Sequence, residues 1–334
     1  MNLAPNSDRT YIILLNWNGA DDTLQCLRSL HQIHNEEVVF VVCDNDSKPH
    51  DFSKLMDGLI QECRRTENTF VFLNAGDHLL APNAPVAAKS VVLIQTGANL
   101  GFAGGVNSGL SFAVRQGDLN FAWILNNDCE IAPDALANLI IRMKADPKMG
   151  ICGSTLIYHG DRNRIQALGG ARYQPWRGRS LSIGAFSAAD TITSDHTTVE
   201  QQMDYVVGAS MLVSRRFLEV VGLMDERYFL YSEEHDWAHR GRQAGFTLGW
   251  APGSRVFHKH GASIGSSASG GSPLSMFYLY RSKALFTALH FRKRMPVVLL
   301  SLAIDAVKLA IKGHPAKTKA ALRGLLSFNS PARF

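Results

Sequence analysis

The 334-residue chain holds only five cysteines, Cys26, Cys43, Cys63, Cys129 and Cys152, and no C-x-x-C pair. A scattered, odd-numbered set excludes a disulfide framework and a zinc ribbon and points to a reducing compartment. There is no basic n-region followed by a long apolar stretch, so no signal peptide is expected. No internal repeat is evident. The tail's longest apolar stretch, "PVVLLSLAI" (296–304), falls well short of the roughly 20 apolar residues that a bilayer-crossing helix needs. Neither a G-x-G-x-x-G nor a Walker A signature occurs. Acids are nearly missing from the end of the chain. Residues 274–334 carry eleven Lys or Arg and one acid, a net +10, which leaves −5 for residues 1–273. A basic balance confined to an apolar tail fits nucleic acid poorly, and none is expected as a partner.

Hydrophobic residues make up 46% of the chain, enough for one large α/β domain, or a domain with an appendage. Continuous apolar runs recur at "YIILLNW" (11–17), "EVVFVVCDNDS" (37–47), "SVVLIQT" (90–96) and "FAWILNNDC" (121–129). Helix-like stretches fall between them, at 20–33, 102–117 and 132–146. That alternation predicts a mostly parallel sheet covered on both faces, with ligands at the carboxyl ends of its strands. Residues 63–92 read as an insertion or extra edge element around "TFVFLN". Residues 158–200 show little periodicity and read as a long loop region. Residues 261–273 read as a flexible Gly/Ser loop.

The polar strand ends are the candidate sites. Asn16, Trp17, Asn18 and Gly19 end the first run, as turn chemistry or as a pocket wall. Asp44 ends the second, where an acceptor-only carboxylate suits a nucleobase imide N–H; a capping cluster is the alternative. "NLGFAGGVNSGL" (99–110) places glycines at a strand-to-helix turn, where they serve an anion or close helix packing. Asn127 and Asp128 end the fourth run. A carboxylate beside a diphosphate needs a cation between them, which gives Asp128 a role as ligand to Mg²⁺ or Mn²⁺. Glu233, Glu234 and Asp236 follow the apolar "RYFLY", more acids than helix capping requires. Clustered carboxylates raise a neighbour's proton affinity, which suits a general base. His258 and His260 follow another strand-like piece, structural or as further metal ligands.

Together "LLNWNG", "VVCDNDS", "NLGFAGGVN", "WILNNDCEI", "GASMLVSRRFLEVVGLMDERYFLYSEEHDWAHRGRQAG" and "VFHKHGAS" resemble the family 2 inverting glycosyltransferases, specifically the rhamnosyltransferase-like branch. The resemblance implies a GT-A fold, a Rossmann-like and mostly parallel sheet flanked by helices. The domain would span 1–260, with a nucleotide-sugar half to about 130 and an acceptor half beyond. The 261–273 loop and a basic amphipathic helical tail, 274–334, would follow. Asn16, Trp17, Asn18, Asp44, Asn99, Gly101, Gly104, Gly105 and Asn127 would line the nucleotide-sugar site. Asp128 and His258 would bind Mg²⁺ or Mn²⁺. Glu234 would be the base, with Glu233 in reserve. Three departures stand out: added length before "NLGF", Asn126-Asn127-Asp128 where the family often has D-x-D, and Glu-Glu where it usually has Glu-Asp. The implied donor is dTDP-rhamnose, or a UDP-linked sugar. The implied acceptor is a glycan or a polyprenyl-diphosphate-linked molecule in cell-surface polysaccharide synthesis. The tail would contact the inner leaflet, making the protein cytoplasmic and peripheral to the membrane. A homo-oligomer and a catalytically silent sugar-nucleotide binder are compatible alternatives.

Overall fold

The computed structural model describes residues 8–79, 85–192, 195–259 and 271–330. His260 and most of the Gly/Ser-rich stretch lie outside the described residues. The first half of the chain alternates strand and helix: β1 (Thr10–Asn16), α1 (Ala20–Leu30), β2 (Val38–Asp44), α2 (Pro49–Thr66), β3 (Phe70–Leu73), β4 (Val91–Gln95), α3 (Gly101–Arg115) and β5 (Phe121–Asn126). Then come β6 (Cys129–Ile131), α4 (Ala135–Ala145), β7 (Met149–Tyr158), β8 (Asp161–Leu168), β9 (Gly170–Gln174) and β10 (Arg179–Ser182). They are followed by α5 (His196–Glu200), β11 (Tyr205–Val206), β12 (Ser210–Ser214), α6 (Arg215–Val221), α7 (Glu233–Gln243) and β13 (Thr247–His258). The chain ends in α8 (Pro273–His290), α9 (Met295–Ile311) and α10 (Pro315–Leu326).

Ten strands form the main sheet, in the order β3-β4-β2-β1-β5-β12-β7-β13-β6, with β8 paired to β7. Pairing is parallel from β3 through β5 and turns antiparallel where β12 joins. The apolar runs are continuous because both faces are covered. Ile12, Leu14, Phe40 and Val42 face a core shared with α1, α2 and α4. Tyr11, Ile13, Val39 and Val41, one residue out of phase, face a second core with α3 and α7. The parallel register brings Gln95, Asp44, Asn16 and Asn126 to one edge, since Asn16 pairs Asp44, Asp44 pairs Gln95, and Leu15 pairs Asn126. All five cysteines are free and buried, as their scatter predicted, and burial pushes each thiol's pKa up.

"TFVFLN" supplies the edge strand β3, as expected. The long loop expected over 158–200 is corrected: β8, β9, β10 and α5 lie there, and β10-β9-β11 form a small antiparallel sheet. The first half of β8 and all of β10 are exposed, so the alternation that marks a half-buried strand is missing from them. The tail is helical as read. Its first helix, however, is no surface element: Phe277, Tyr280, Ala284, Leu285 and Phe286 of α8 are buried. Buried Arg281 donates to the carbonyls of Arg227 and Ser330, tying tail to body.

Candidate active site

The first two strand ends are locked to each other. Asn16 Nδ2 donates to Asp44 Oδ1 (2.9 Å) and Ser47 Oγ (3.1 Å), while Asn16 Oδ1 accepts from Thr23 Oγ1 (2.8 Å). Asp44 also accepts from the Ser47 N–H at 3.2 Å. Asn18, exposed and in the left-handed region at φ 54°, accepts from the Lys48 N–H at 2.9 Å. Trp17 is half-buried beside it. These groups join the β1–α1 and β2–α2 turns into one unit.

The glycine-rich turn is clamped by a residue that the motif reading passed over. Asn45 Nδ2 donates to Asn99 Oδ1 (3.1 Å) and the Gly101 carbonyl (3.0 Å), and its Oδ1 accepts from the Leu100 N–H (3.0 Å). Gly101 has φ +73°, and a Cβ there would lie 2.1 Å from the Phe229 carbonyl oxygen. A Cβ on Gly104 would meet Leu100 at 2.7 Å, and one on Gly105 would meet Leu15 at 2.4 Å. Close packing therefore accounts for glycine at all three positions.

Between β5 and β6 the chain crosses from the middle of the sheet to its far edge, and Asn127 and Asp128 make the crossing. Asn127 turns toward α1, donating to Thr23 Oγ1 at 2.9 Å. Asn126 turns the other way, with Nδ2 3.3 Å from His258 Nε2. The end of β13 pairs with β6, His258 opposite Cys129, so the His258 ring reaches Asp128: Nε2 to Oδ1 is 3.1 Å. His258 Nδ1 lies 2.9 Å from Gln166 Oε1. A proton on Nδ1 donated to Gln166 leaves Nε2 with its lone pair toward the carboxylate. Two electron-rich atoms that converge in this way call for a proton or a cation between them. Burial raises the Asp128 pKa, but the hydrogen bond and charge of His258, helped by Lys259, more than offset it and hold the carboxyl below its ordinary value. Cys129 completes a buried trio whose ligand atoms lie within 4.8 Å of one another. Its thiol, pushed well up by burial, is a poor match for hard Mg²⁺ or Mn²⁺. The oxygen and nitrogen of Asp128 and His258 do fit such an ion, with water and substrate oxygens completing its shell.

The acids sit at the start of α7. Tyr231 and Ser232 before them both have φ 68°, two successive side-chain-bearing residues in the left-handed region. Such backbone costs about 1–3 kcal/mol per residue and persists where the surroundings enforce it. It carries the chain into the helix with Glu233 buried and Glu234 partly open. Glu233 Oε2 and Glu234 Oε2 are both buried atoms without a hydrogen-bond partner among the described residues. Burial, then the charge of Glu234, pushes the Glu233 pKa well above the ordinary carboxylate value. Glu234, half-buried where Glu233 is buried, is the more accessible of the two acids. His235 Nδ1 is 3.8 Å from Glu234 Oε2, and its ring stacks on Tyr205 with centroids 3.7 Å apart. Asp236 is withdrawn, bound to Arg240 (2.7 Å) and His290 (2.6 Å).

One cleft of about 660 Å³ is lined by both His258 and the acids. Asn126, Gln166 and His258 are on one part of its wall, Glu233 and Glu234 on another, and Ser180, Leu181 and Phe186 also line it. Asp128, in contact with His258, is not on the wall. Asn16, Trp17, Asn18, Asp44, Asn99 and Gly101 are not on this wall. Asn126 lines this cleft and Asn127 does not. Gln166 and Ser180 lie in the stretch read as loop, which offered no signal.

Known proteins resemble this chain in sequence and in fold. The model of "Glycosyl transferase family 2" matches residues 11–198. The N-acetylglucosaminyl-diphospho-decaprenol L-rhamnosyltransferase of Mycobacterium tuberculosis is 26% identical over 194 residues, 53% of this chain and 61% of that protein. A low-salt glycan biosynthesis hexosyltransferase of Haloferax volcanii is 24% identical over 157 residues, 47% of this chain and 48% of its own length. These matches thus span about half to three fifths of the relatives they reach. GalNAc-T7, solved with UDP, GalNAc and Mn²⁺, superimposes with a TM-score of 0.59 at 14% identity, over 97% of this chain and 56% of that one. The mannosyltransferase PcManGT of Pyrobaculum calidifontis, solved with GDP-Man and Mn²⁺, gives 0.55 at 13% identity, over 98% and 89%. At these identities the likeness establishes the GT-A fold.

Proposed function

The chain belongs to glycosyl transferase family 2, and from that premise we propose that it is an inverting, metal-dependent hexosyltransferase acting in cell-surface polysaccharide synthesis. The observation that carries the reading is the single cleft shared by His258 and Glu234. The donor is a nucleoside diphosphate sugar: the name of the mycobacterial relative supports L-rhamnose as the sugar, carried on dTDP, with a UDP-linked sugar as nearest competitor. The same name supports an acceptor carried on a polyprenyl diphosphate.

In the reaction the acceptor hydroxyl lies against Glu234. Its oxygen attacks the anomeric carbon while the Glu234 carboxylate takes the proton, and the bond to the diphosphate oxygen breaks on the opposite face, which inverts the centre. Asp128 and His258 are the residues that hold Mg²⁺ or Mn²⁺, and a bound ion supplies positive charge to the departing diphosphate. Asn126 orients His258 from one side and Gln166 from the other. Burial raises the Glu233 pKa and sets it apart from Glu234.

Calorimetric titration with dTDP and with UDP, each with Mn²⁺ and with chelator, tests this. The expected result is Mn²⁺-dependent binding of one nucleotide, lost in Asp128→Ala. Metal-independent binding would remove the role given to Asp128. Failure to bind either nucleotide would overturn the reading. Saturable binding without sugar transfer would leave a sugar-nucleotide binder that lacks catalysis, as the single acid of Asn126-Asn127-Asp128 allows.

A further inference from the structure

Helix α9 is apolar on two sides. Val298, Leu302 and Ala306 are buried against Tyr280 and Ala321. Facing away, Val297, Leu300, Ile304, Val307 and Ile311 are 46, 63, 47, 56 and 80% exposed. Their steps of three and four residues align them in one stripe along the helix. A helix that is apolar all round normally belongs in a core or a membrane, and this one is covered on a single side. Among the described residues no helix is long and apolar enough to cross a bilayer.

The surroundings of the stripe are cationic. Exposed Arg292 and Lys293 stand at its start, and exposed Lys308 and Lys312 at its end. The only acid in residues 274–334, Asp305, is occupied by Arg179 at 2.6 Å and Lys308 at 3.2 Å. Trp176, 57% exposed on the turn between β9 and β10, has the Arg294 guanidinium 4.7 Å from its ring centre. An amphipathic ring beside a cation is the pairing found at membrane–water interfaces.

We propose that the exposed face of α9, with Arg292, Lys293 and Trp176 at one end, is a docking surface for an anionic phospholipid bilayer, with the helix lying in the headgroup plane. Charge decides between occupants. A second copy would set a +10 tail against another, whereas anionic headgroups complement it. The surface also connects to the cleft. The β9–β10 hairpin that holds Asp305 through Arg179 continues into Ser180, Leu181 and Ser182 on the cleft wall. A lipid-borne acceptor would therefore enter from the docked side. This deepens the acceptor reading above and rests on it for the link to turnover, while docking itself is measured without any sugar transfer.

The full chain is centrifuged with vesicles of phosphatidylcholine alone or mixed with phosphatidylglycerol, at low and high salt. Leu300→Glu/Ile304→Glu tests the stripe and Arg292→Glu/Lys293→Glu tests the charge. Circular dichroism and nucleotide titration verify each variant's fold and cleft. The expected result is binding to mixed vesicles about tenfold tighter than to neutral ones, weakened by salt, with a loss of about tenfold or more in each variant and unchanged nucleotide binding. Equal binding by the variants, or no binding by the parent chain, overturns the proposal. So does a dimer that the stripe variant dissociates while vesicle binding stays absent, which would assign the face to a second copy. Loss of the glycosyltransferase reading would appear separately, as a failure to bind nucleotide in a chain that still docks.

Discussion

Glu234 and Glu233 differ by one position and by their surroundings. The first is half-buried and the second buried, and burial raises the second's pKa. Glu234→Gln is expected to lower turnover by about 100- to 10,000-fold with nucleotide affinity unchanged, read from initial rates and calorimetry. Glu233→Gln, a neutral mimic of the protonated acid, should cost much less; the reverse ranking would exchange the two roles. The same logic separates two asparagines. Asn127→Ala should lower stability by about 0.5–1.5 kcal/mol, because it removes one buried hydrogen bond to Thr23, which keeps its bond to Asn16. Asn126→Ala should weaken Mn²⁺ binding instead, because it frees the His258 ring. The sequence made the residue types at the strand end legible. Which of two adjacent amides faces the cleft depends on the exact residue where β5 stops, and composition does not encode that.

At the scale of elements, the turn into α3 depends on a backbone shape. Gly101→Ala forces a Cβ into the left-handed region and onto the Phe229 carbonyl. The backbone conformation alone costs about 1–3 kcal/mol, and the clash adds to it, so the thermal midpoint should fall by several degrees. An unchanged midpoint would mean that the 225–232 segment yields freely. The glycine motif itself was legible, and so were β1, β2, β4 and β5, because strands covered on both faces are written as unbroken apolar runs. β8 to β10 were not, since strands that bury little carry little pattern. Asn45 was also missed, because its work is to hold a loop distant in sequence.

For the molecule as a whole, α8 carries an amine, Lys283, whose pKa the fold shifts. Burial lowers this amine from 10.5 to about 8, opposed by Asp305 and aided by Arg179. Between about pH 8 and 10.5 the unfolded chain binds the extra proton, so stability rises with pH across that window, and the penalty is complete below it. Denaturant titrations at pH 7 and pH 9.5 should show Lys283→Met more stable than the parent at the lower pH and the gap narrowing at the higher. A constant gap would place the amine in water. The sequence showed a basic helical tail distinct from an acidic body. It did not show α8 inserted among the body's aromatics, since that insertion is a tertiary fact with no periodicity of its own.

The five buried thiols make the chain a recorder of its own opening. Each sulfur is shielded from an alkylating reagent, and burial favours its unreactive protonated form. Labelling under native conditions therefore proceeds only through molecules that have come apart locally. The mass gained, one adduct at a time, would time the release of α2 through Cys63 against that of the central strand β2 through Cys43, with no probe introduced.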